Sequence, residues 1–568
     1  MDRKSAAVPH RASGRATQLG NPAGLPWLVL ALSLAAFGLG VHSIAPSKAS
    51  QFGLLAGASP LYGLSLLLAA VGFGVAMRMR NRNAAIAAII VMVACARLPR
   101  AISTEAPMYS WTYKHLGVVD YIQTHGELAR GTDIYNGWPG LFAATAWFSD
   151  LTGVPPIDIA HWFTPMFHLG FAGLMYAAAR AWQLTPDQAL TAAFLVVTLN
   201  WVEQDYFAPQ AMAMILTAAI VMLIGLSRER RTGMVLLLIA FTAVTITHQL
   251  TPYWIFLAAG LLVVGRRLMP WWILIPMAVI LIGFFFCNFD ITHNYRLFSA
   301  DVVDNATTNN HRVGVLGQIF TSTSMRILSV GTWFATAVIL LRRAVTRRPV
   351  WALGVLALSP ILILGGQSYG GEAVFRVFLY SLPGCAIVIA PYLLAGLRSR
   401  GIRLVAAAGA LVIATGLSAQ ANLGNWYTNL ITKTQVDSAN ALLAGADYPA
   451  YITPLVPVWP ERSTGNYVKY ANYTDKFDHS LMFQEPLLGL DFKSQADYEK
   501  LMILVQSRTD ASTYVVLSNT MTMYGPFFGL FPYDAVANLR EHMNNDPRWH
   551  IIENGPDVGI YLYRVPAS

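Results

Sequence analysis

The sequence predicts an α-helical polytopic membrane protein carrying a small α/β domain at its C-terminal end. Three observations predict it. The chain has 568 residues, 55% of them hydrophobic and only 12% charged, about half the charge of an ordinary soluble chain, and its mean hydropathy is +0.46. Apolar runs of roughly span length recur through the first three quarters of the chain. Beyond residue 420 the pattern changes in kind, to short apolar runs among mixed charges.

The runs fall near 27–45, 56–77, 84–99, 157–181, 189–201, 209–227, 233–248, 252–265, 270–289, 326–341, 350–366, 374–397 and 404–419, which makes about thirteen spans, the fifth and seventh short. Arginine placement orders them. Arg78, Arg80 and Arg82, then Arg180, then Arg228, Arg230 and Arg231, then Arg266 and Arg267, then Arg342, Arg343, Arg347 and Arg348, then Arg398, Arg400 and Arg403 stand at alternate run ends. With the basic tail 1–25 they mark one face, which the positive-inside rule makes cytoplasmic. The net charge of +9 therefore reports topology and argues against a nucleic-acid partner. The basic segment before residue 27 is long and no small-residue cleavage site follows, so the first apolar run reads as a retained span. The membrane domain then covers 26–419, with an external loop at 100–156.

Thirteen spans from a cytoplasmic start place the tail 420–568 outside. There 495–507 and 534–545 have helical spacing, 513–518 is rich in β-formers, and 549–553 and 559–564 read as closing strands. The stretch 449–460 reads as a Pro-rich connector. Cys95, Cys287 and Cys385 each lie in a separate apolar run, a spacing that suits neither disulfides nor zinc.

The same topology sorts the unusual polar residues onto the outer side. They sit in 104–140, in Asn200-Trp-Val-Glu-Gln-Asp-Tyr-Phe-Ala-Pro-Gln210, in Thr247-His-Gln-Leu-Thr-Pro-Tyr253, in 290–310 with His293 and Arg296, and in 365–376. Ionisable groups near membrane depth are costly enough to suggest a role. Glu203 and Asp205 either sit in a solvated loop or, crowded by Tyr206, Phe207 and Pro209, lie in a folded turn opening the next helix, where Asp205 or a phosphate oxygen would face free N–H groups. The pair also offers a place to a shared divalent cation, the only cofactor this inventory suggests. His248 precedes a Thr-Pro break and is either a satisfied core imidazole or a donor to phosphate. Glu372 and Arg376 are four apart, so they form either an ion pair on one helix face or, after the GGQSYGG run, part of a phosphate-binding element.

The 104–140 stretch gathers Glu105, Lys114, His115, Asp120, Asp133 and Trp138. Helical spacing from Tyr113 to Ile122 places Lys114 and His115 within a turn or two of Asp120. Interfacial anchoring explains the aromatics of this stretch but not its acids.

The segments YSWTYKHLGVVDYI, YNGWPG, NWVEQDYFAPQ, THQLTPY and GGEAVFRVFLYSLP resemble membrane proteins of actinobacterial cell-envelope polysaccharide clusters, and the wider layout resembles the GT-C class of integral membrane glycosyltransferases. The resemblance covers 84–420. It implies an enzyme that transfers a sugar from a polyprenyl-phosphate donor to an envelope glycan or glycolipid acceptor on the outer side, with a carboxylate of the first large loop as base or acceptor-positioning group. In this sequence the neighbourhood offers Glu105 and then Asp120, so the order of candidates is Asp120, Glu105 and the rival Asp205. Donor phosphate is expected at Arg376, Lys114, His115 and His248, and sugar contacts at Asp133, Trp138, Glu203, Gln204, Gln210, Gln249 and Glu372. A polysaccharide polymerase or ligase working on lipid-diphosphate glycans, a non-enzymatic transporter or flippase, and a scaffold subunit of an envelope assembly machine are the alternatives.

Overall fold

The computed structural model describes residues 24–44, 49–227, 232–294, 314–365, 373–474 and 479–565. Glu372, Arg296 and all of 290–310 beyond Asn294 lie outside them. Each of the thirteen apolar runs falls on a helix. In chain order these are α1 (Leu25–Val41), α2 (Pro60–Arg78), α3 (Arg82–Arg97), the loop helices α4 (Ser110–His125) and α5 (Gly140–Thr152), then α6 (Pro156–Ala181), α7 (Pro186–Leu199), α8 (Pro209–Leu226), α9 (Thr232–Thr247), α10 (Thr251–Val264), α11 (Leu274–Cys287), α12 (Leu316–Val345), α13 (Trp351–Leu358), α14 (Ala373–Leu397) and α15 (Ile402–Leu423). Five of them are long and apolar enough by themselves to cross a membrane, and the short fifth and seventh runs, α7 and α9, are apolar helices of under 18 residues. The chain is a multi-pass membrane protein.

Caps explain where helices begin. Ser59 and Asn81 accept from the backbone N–H groups of Leu61 and Ala84 at the starts of α2 and α3, and Thr185 with Gln188 forms a capping box ahead of Pro186 on α7. Lipid supplies no hydrophobic drive between helices, so small residues set how closely they pack. A Cβ on Gly40 would lie 2.5 Å from the Tyr62 backbone, and one on Gly384 would lie 2.3 Å from that of Leu356.

Helix ends sort into two groups. At one, Asp187 pairs with Arg82 at 2.5 Å and with Arg398 at 2.7 Å, and Arg78 donates to the Leu397 and Ser399 carbonyls. The other carries the polar junctions.

The C-terminal segment folds as helices α16 (Lys433–Gly445), α17 (Tyr467–Thr474), α18 (Gln495–Ser507) and α19 (Ala535–Asn545) around a four-stranded sheet of β1 (Ala450–Pro454), β2 (Ser512–Ser518), β3 (His550–Asn554) and β4 (Val558–Tyr563) in the order β1-β2-β4-β3. β1 runs parallel to β2 (Ala450 beside Ser512), while β2–β4 and the β3–β4 hairpin are antiparallel. The expected helices and the three expected strands are present within a residue or so. The connector expectation is corrected, because 450–454 is an edge strand. Its prolines flank it or end it, where no ladder N–H is missed.

α4 does not lie on the membrane interface. Tyr113, Leu116, Val118 and Val119 share a hydrophobic core with Val515, Leu517 and Ile560 of the sheet, so the loop joins the bundle to the C-terminal domain. α5 instead presents apolar side chains outward, with Trp147 and Leu151 about two thirds exposed.

Candidate functional site

The 200–208 connector between α7 and α8 is the centre of the polar end. Asp205 is fully buried there. Its carboxylate meets Arg100 at 2.8 Å, Arg97 at 3.1 Å and His168 Nε2 at 2.8 Å. Arg97 also donates to the Asn200 carbonyl, and Arg100 to Asn422 Oδ1 at 3.1 Å. Burial alone would push the Asp205 carboxyl up, but Arg100, Arg97 and the His168 hydrogen bond outweigh it and hold the group well below the usual carboxylate range. Both oxygens are engaged, so Asp205 is a locked anion at the junction of α3, α6, α7 and α15. A cation shared with Glu203 would have to displace these partners. Among the described residues no group of three or more His, Cys, Asp and Glu is arranged to hold a metal ion.

Glu203 is two residues away and differently placed. It is half-buried, it accepts from Asn425 Nδ2 at 2.5 Å, and Tyr109 is a close neighbour. Burial and the nearby Asp205 charge raise its carboxyl to about 7, against the lowering effects of Arg100, Asn425 and Tyr109. Tyr109 is held at φ 70°, where a bulky side chain costs about 1–3 kcal/mol and where functional sites concentrate strain. Its N–H donates to the Asn429 carbonyl, and its ring stacks on Tyr206 at 5.1 Å. His115 Nδ1 sits 2.7 Å from the Phe207 carbonyl, and its ring packs on Phe142 and Tyr206. Burial drives this imidazole down to about 3, so at neutral pH it supports the connector as an uncharged group.

A second polar group continues along the connector. Gln210 Oε1 accepts from Tyr380 at 3.0 Å, the Tyr380 hydroxyl lies 2.8 Å from Thr251 Oγ1, and that atom lies 3.0 Å from His248 Nδ1. The N–H groups of Leu250 and Thr251 also donate to Nδ1. That nitrogen therefore carries the lone pair, and the proton belongs on Nε2. Burial and the neighbouring Arg376 charge hold His248 well below its ordinary value, hence neutral. Arg376 is itself buried, and Phe375 and Phe378 beside it pack on Trp201 at 5.6 Å. Gln249 is buried next to this group, and Gln204 is half-buried beside Glu203.

The remaining expected residues lie elsewhere. Asp120 accepts from the Gly465 N–H at 2.7 Å. Lys114 pairs with Glu461 at 3.6 Å, both buried, and lies 3.9 Å from the Trp111 ring. Asp133 caps the turn at Ile134–Gly137 and meets Arg462 at 2.8 Å and Tyr467 at 2.9 Å. All three face the C-terminal domain across a buried polar seam. Trp138 is buried against Phe284, and Glu105 is exposed. Asp133→Ala removes a cap and leaves a buried guanidinium without its carboxylate. Its expected result is a loss of roughly 3 kcal/mol, read as earlier proteolytic release of the C-terminal domain on heating.

Arg97, Arg100, His168, Tyr109 and Asn425 were not among the sequence candidates. The first three did carry a signal. Arg97 and Arg100 stand at the opposite end of their span from Arg80 and Arg82, against the positive-inside pattern, and His168 stands inside an apolar run.

No protein-family model matches the chain, and no curated protein matches it. Among solved structures, ArnT from Cupriavidus metallidurans bound to undecaprenyl phosphate aligns at TM-score 0.41 and 11% identity, covering 79% of this chain and 93% of that one. The same protein in the apo state aligns at TM-score 0.44 and 11% identity, covering 83% and 97%.

Proposed function

We propose that the chain is a membrane glycosyltransferase that moves a sugar from a polyprenyl-phosphate-linked donor to a hydroxyl of an envelope glycan or glycolipid acceptor, on the extracytoplasmic side. The observation that carries the reading is Glu203. It is a carboxylate titrating near neutrality, at a polar helix junction that also holds a neutral imidazole donor and a buried guanidinium. In the reaction the acceptor oxygen attacks the anomeric carbon, the bond from that carbon to the phosphate oxygen breaks, and polyprenyl phosphate leaves with the electron pair. Glu203 takes the acceptor proton, and a base with pKa near the working pH is the effective kind. Arg376 and the His248 Nε2–H donate to the phosphate as charge develops on it. Gln204, Gln210 and Gln249 supply amides for the sugar.

An apolar surface supports a lipid-linked donor. An apolar groove of about 640 Å³ between α10 and α11 is lined by Phe256, Leu274, Ile275, Ala278, Val279, Ile282 and Gly283. Phe256 is five residues from Thr251, about 8 Å along the helix. A prenyl chain in this groove would bring its phosphate toward His248.

Two outcomes test the assignments. Arg376→Ala is expected to raise the KM for a polyprenyl-phosphate sugar by about 10-fold to 100-fold, the loss of a charge-assisted contact, with the KM for the acceptor unchanged. Tyr109→Phe removes a neighbouring hydroxyl that favours the ionised Glu203, so the carboxyl is expected to titrate higher. The rate profile should move toward higher pH with its plateau retained.

A further inference from the structure

The arginine-bearing end of the bundle holds a pocket of about 890 Å³ lined by Met79, Arg80, Asn81, Arg82, Asn83, Asp187 and Arg398. Three guanidiniums face one carboxylate there. Asp187 fixes two of them, Arg82 at 2.5 Å and Arg398 at 2.7 Å, while Arg398 also donates to the Met77 carbonyl at 2.9 Å. With one carboxylate against three guanidiniums, the wall keeps an excess of positive charge. Arg80 is exposed at its rim.

Arg80 also occupies a position where glycine is the default. It follows α2 at φ 57°, with its N–H on the Met77 carbonyl and the Asn81 N–H on the Ala76 carbonyl, the left-handed closure that ends many helices. The same closure recurs at this end with Arg266 after α10 (φ 54°) and Arg347 after α12 (φ 55°). A signal for membrane orientation needs only a charge near the span end, and Arg78 and Arg82 already give one without a left-handed backbone. At Arg80 the added charge faces the pocket.

The face below the pocket is apolar. Arg82, Ile86 and Ile90 follow one another at four-residue spacing on α3, hence along one face, and Ile86 and Ile90 are about half exposed. A phosphate held by Arg80 and Arg82 would have an acyl chain running down this stripe, which a free anion does not use.

We infer that this pocket is a binding site for the phosphate headgroup of an anionic phospholipid, held by Arg80 and Arg82 with its acyl chain on Ile86 and Ile90. It is separate from the polar junction around Glu203 and does not depend on the transferase reading. The test titrates phosphatidylglycerol into the full-length protein in neutral detergent and counts bound lipid by native mass spectrometry, with phosphatidylcholine as the neutral comparison. Wild type is expected to retain phosphatidylglycerol over phosphatidylcholine. Arg80→Gly relieves the left-handed backbone while removing the charge. It should weaken phosphatidylglycerol binding about fivefold with a Tm in neutral detergent no lower than wild type, so a folding defect cannot mimic the result. Arg266→Gly, an equivalent change outside the pocket, should leave binding as it was. Equal retention by Arg80→Gly and wild type would overturn the site. Equal weakening by Arg266→Gly would show a diffuse surface charge instead, and displacement by inorganic phosphate at matched concentration would overturn the assignment to a lipid.

Discussion

Glu203→Gln is expected to lower sugar transfer by about 100-fold to 10,000-fold, the range a positioned general base contributes, and to leave the protein folded. Glutamine keeps the shape and the contact with Asn425 but cannot take a proton. Stability separates this outcome from simple damage. The carboxyl is raised from its ordinary value to about 7 in the folded protein, so the folded state favours its protonated form. The stability linked to that proton is complete below the ordinary carboxylate range and is lost as pH rises through about 7. Above neutrality Glu203→Gln should therefore unfold no earlier than wild type, and somewhat later, while transfer is nearly abolished. An inactive variant that also melted early at pH 8 would point to a structural role.

Asp205 should behave in the opposite way. Asp205→Ala leaves Arg97 and Arg100, each almost fully buried, without their counter-charge. Removing one partner of a buried ionic group costs about 3–5 kcal/mol. The expected result is a strongly lowered Tm in detergent and poor recovery of folded protein, in donor-bound and donor-free samples alike. Replacing Arg100 with Met in the Asp205→Ala background removes one orphaned charge and should recover part of the loss. A stable, monodisperse Asp205→Ala protein lacking only transfer would return Asp205 to the reacting centre.

Much of the architecture was legible because its signals are local. A run of apolar residues becomes a helix whatever it packs against, and the α18 and α19 periodicities hold within their own windows. Strand 450–454 escaped because prolines on both sides mimic a linker, and the compensation is its edge position beside Ser512 to Val516. Of the polar cluster, the sequence showed the place but not the pairing. The connector 200–210 and His248 stood out as polar residues at span ends. Which carboxylate is locked and which can titrate depends on long-range partners. Arg100 reaches Asp205 across 105 positions, and Asn425 reaches Glu203 across 222. Asp120 and Asp133 looked like candidates because acids in an aromatic loop are conspicuous. Their partners, Gly465, Arg462 and Tyr467, come from the far end of the chain, so their part in holding the C-terminal domain could not be read from the loop.

The most direct measurement is the pH dependence of transfer by the full-length protein in proteoliposomes, offered a panel of polyprenyl-phosphate-linked pentoses and hexoses with an envelope glycan extract as acceptor. With Glu203 as base, the rate at saturating donor rises with pH through an inflection near 7, and that inflection disappears in the residual activity of Glu203→Gln. A rate that is flat across neutral pH, or a Glu203→Gln protein that transfers at the wild-type rate, would contradict the account.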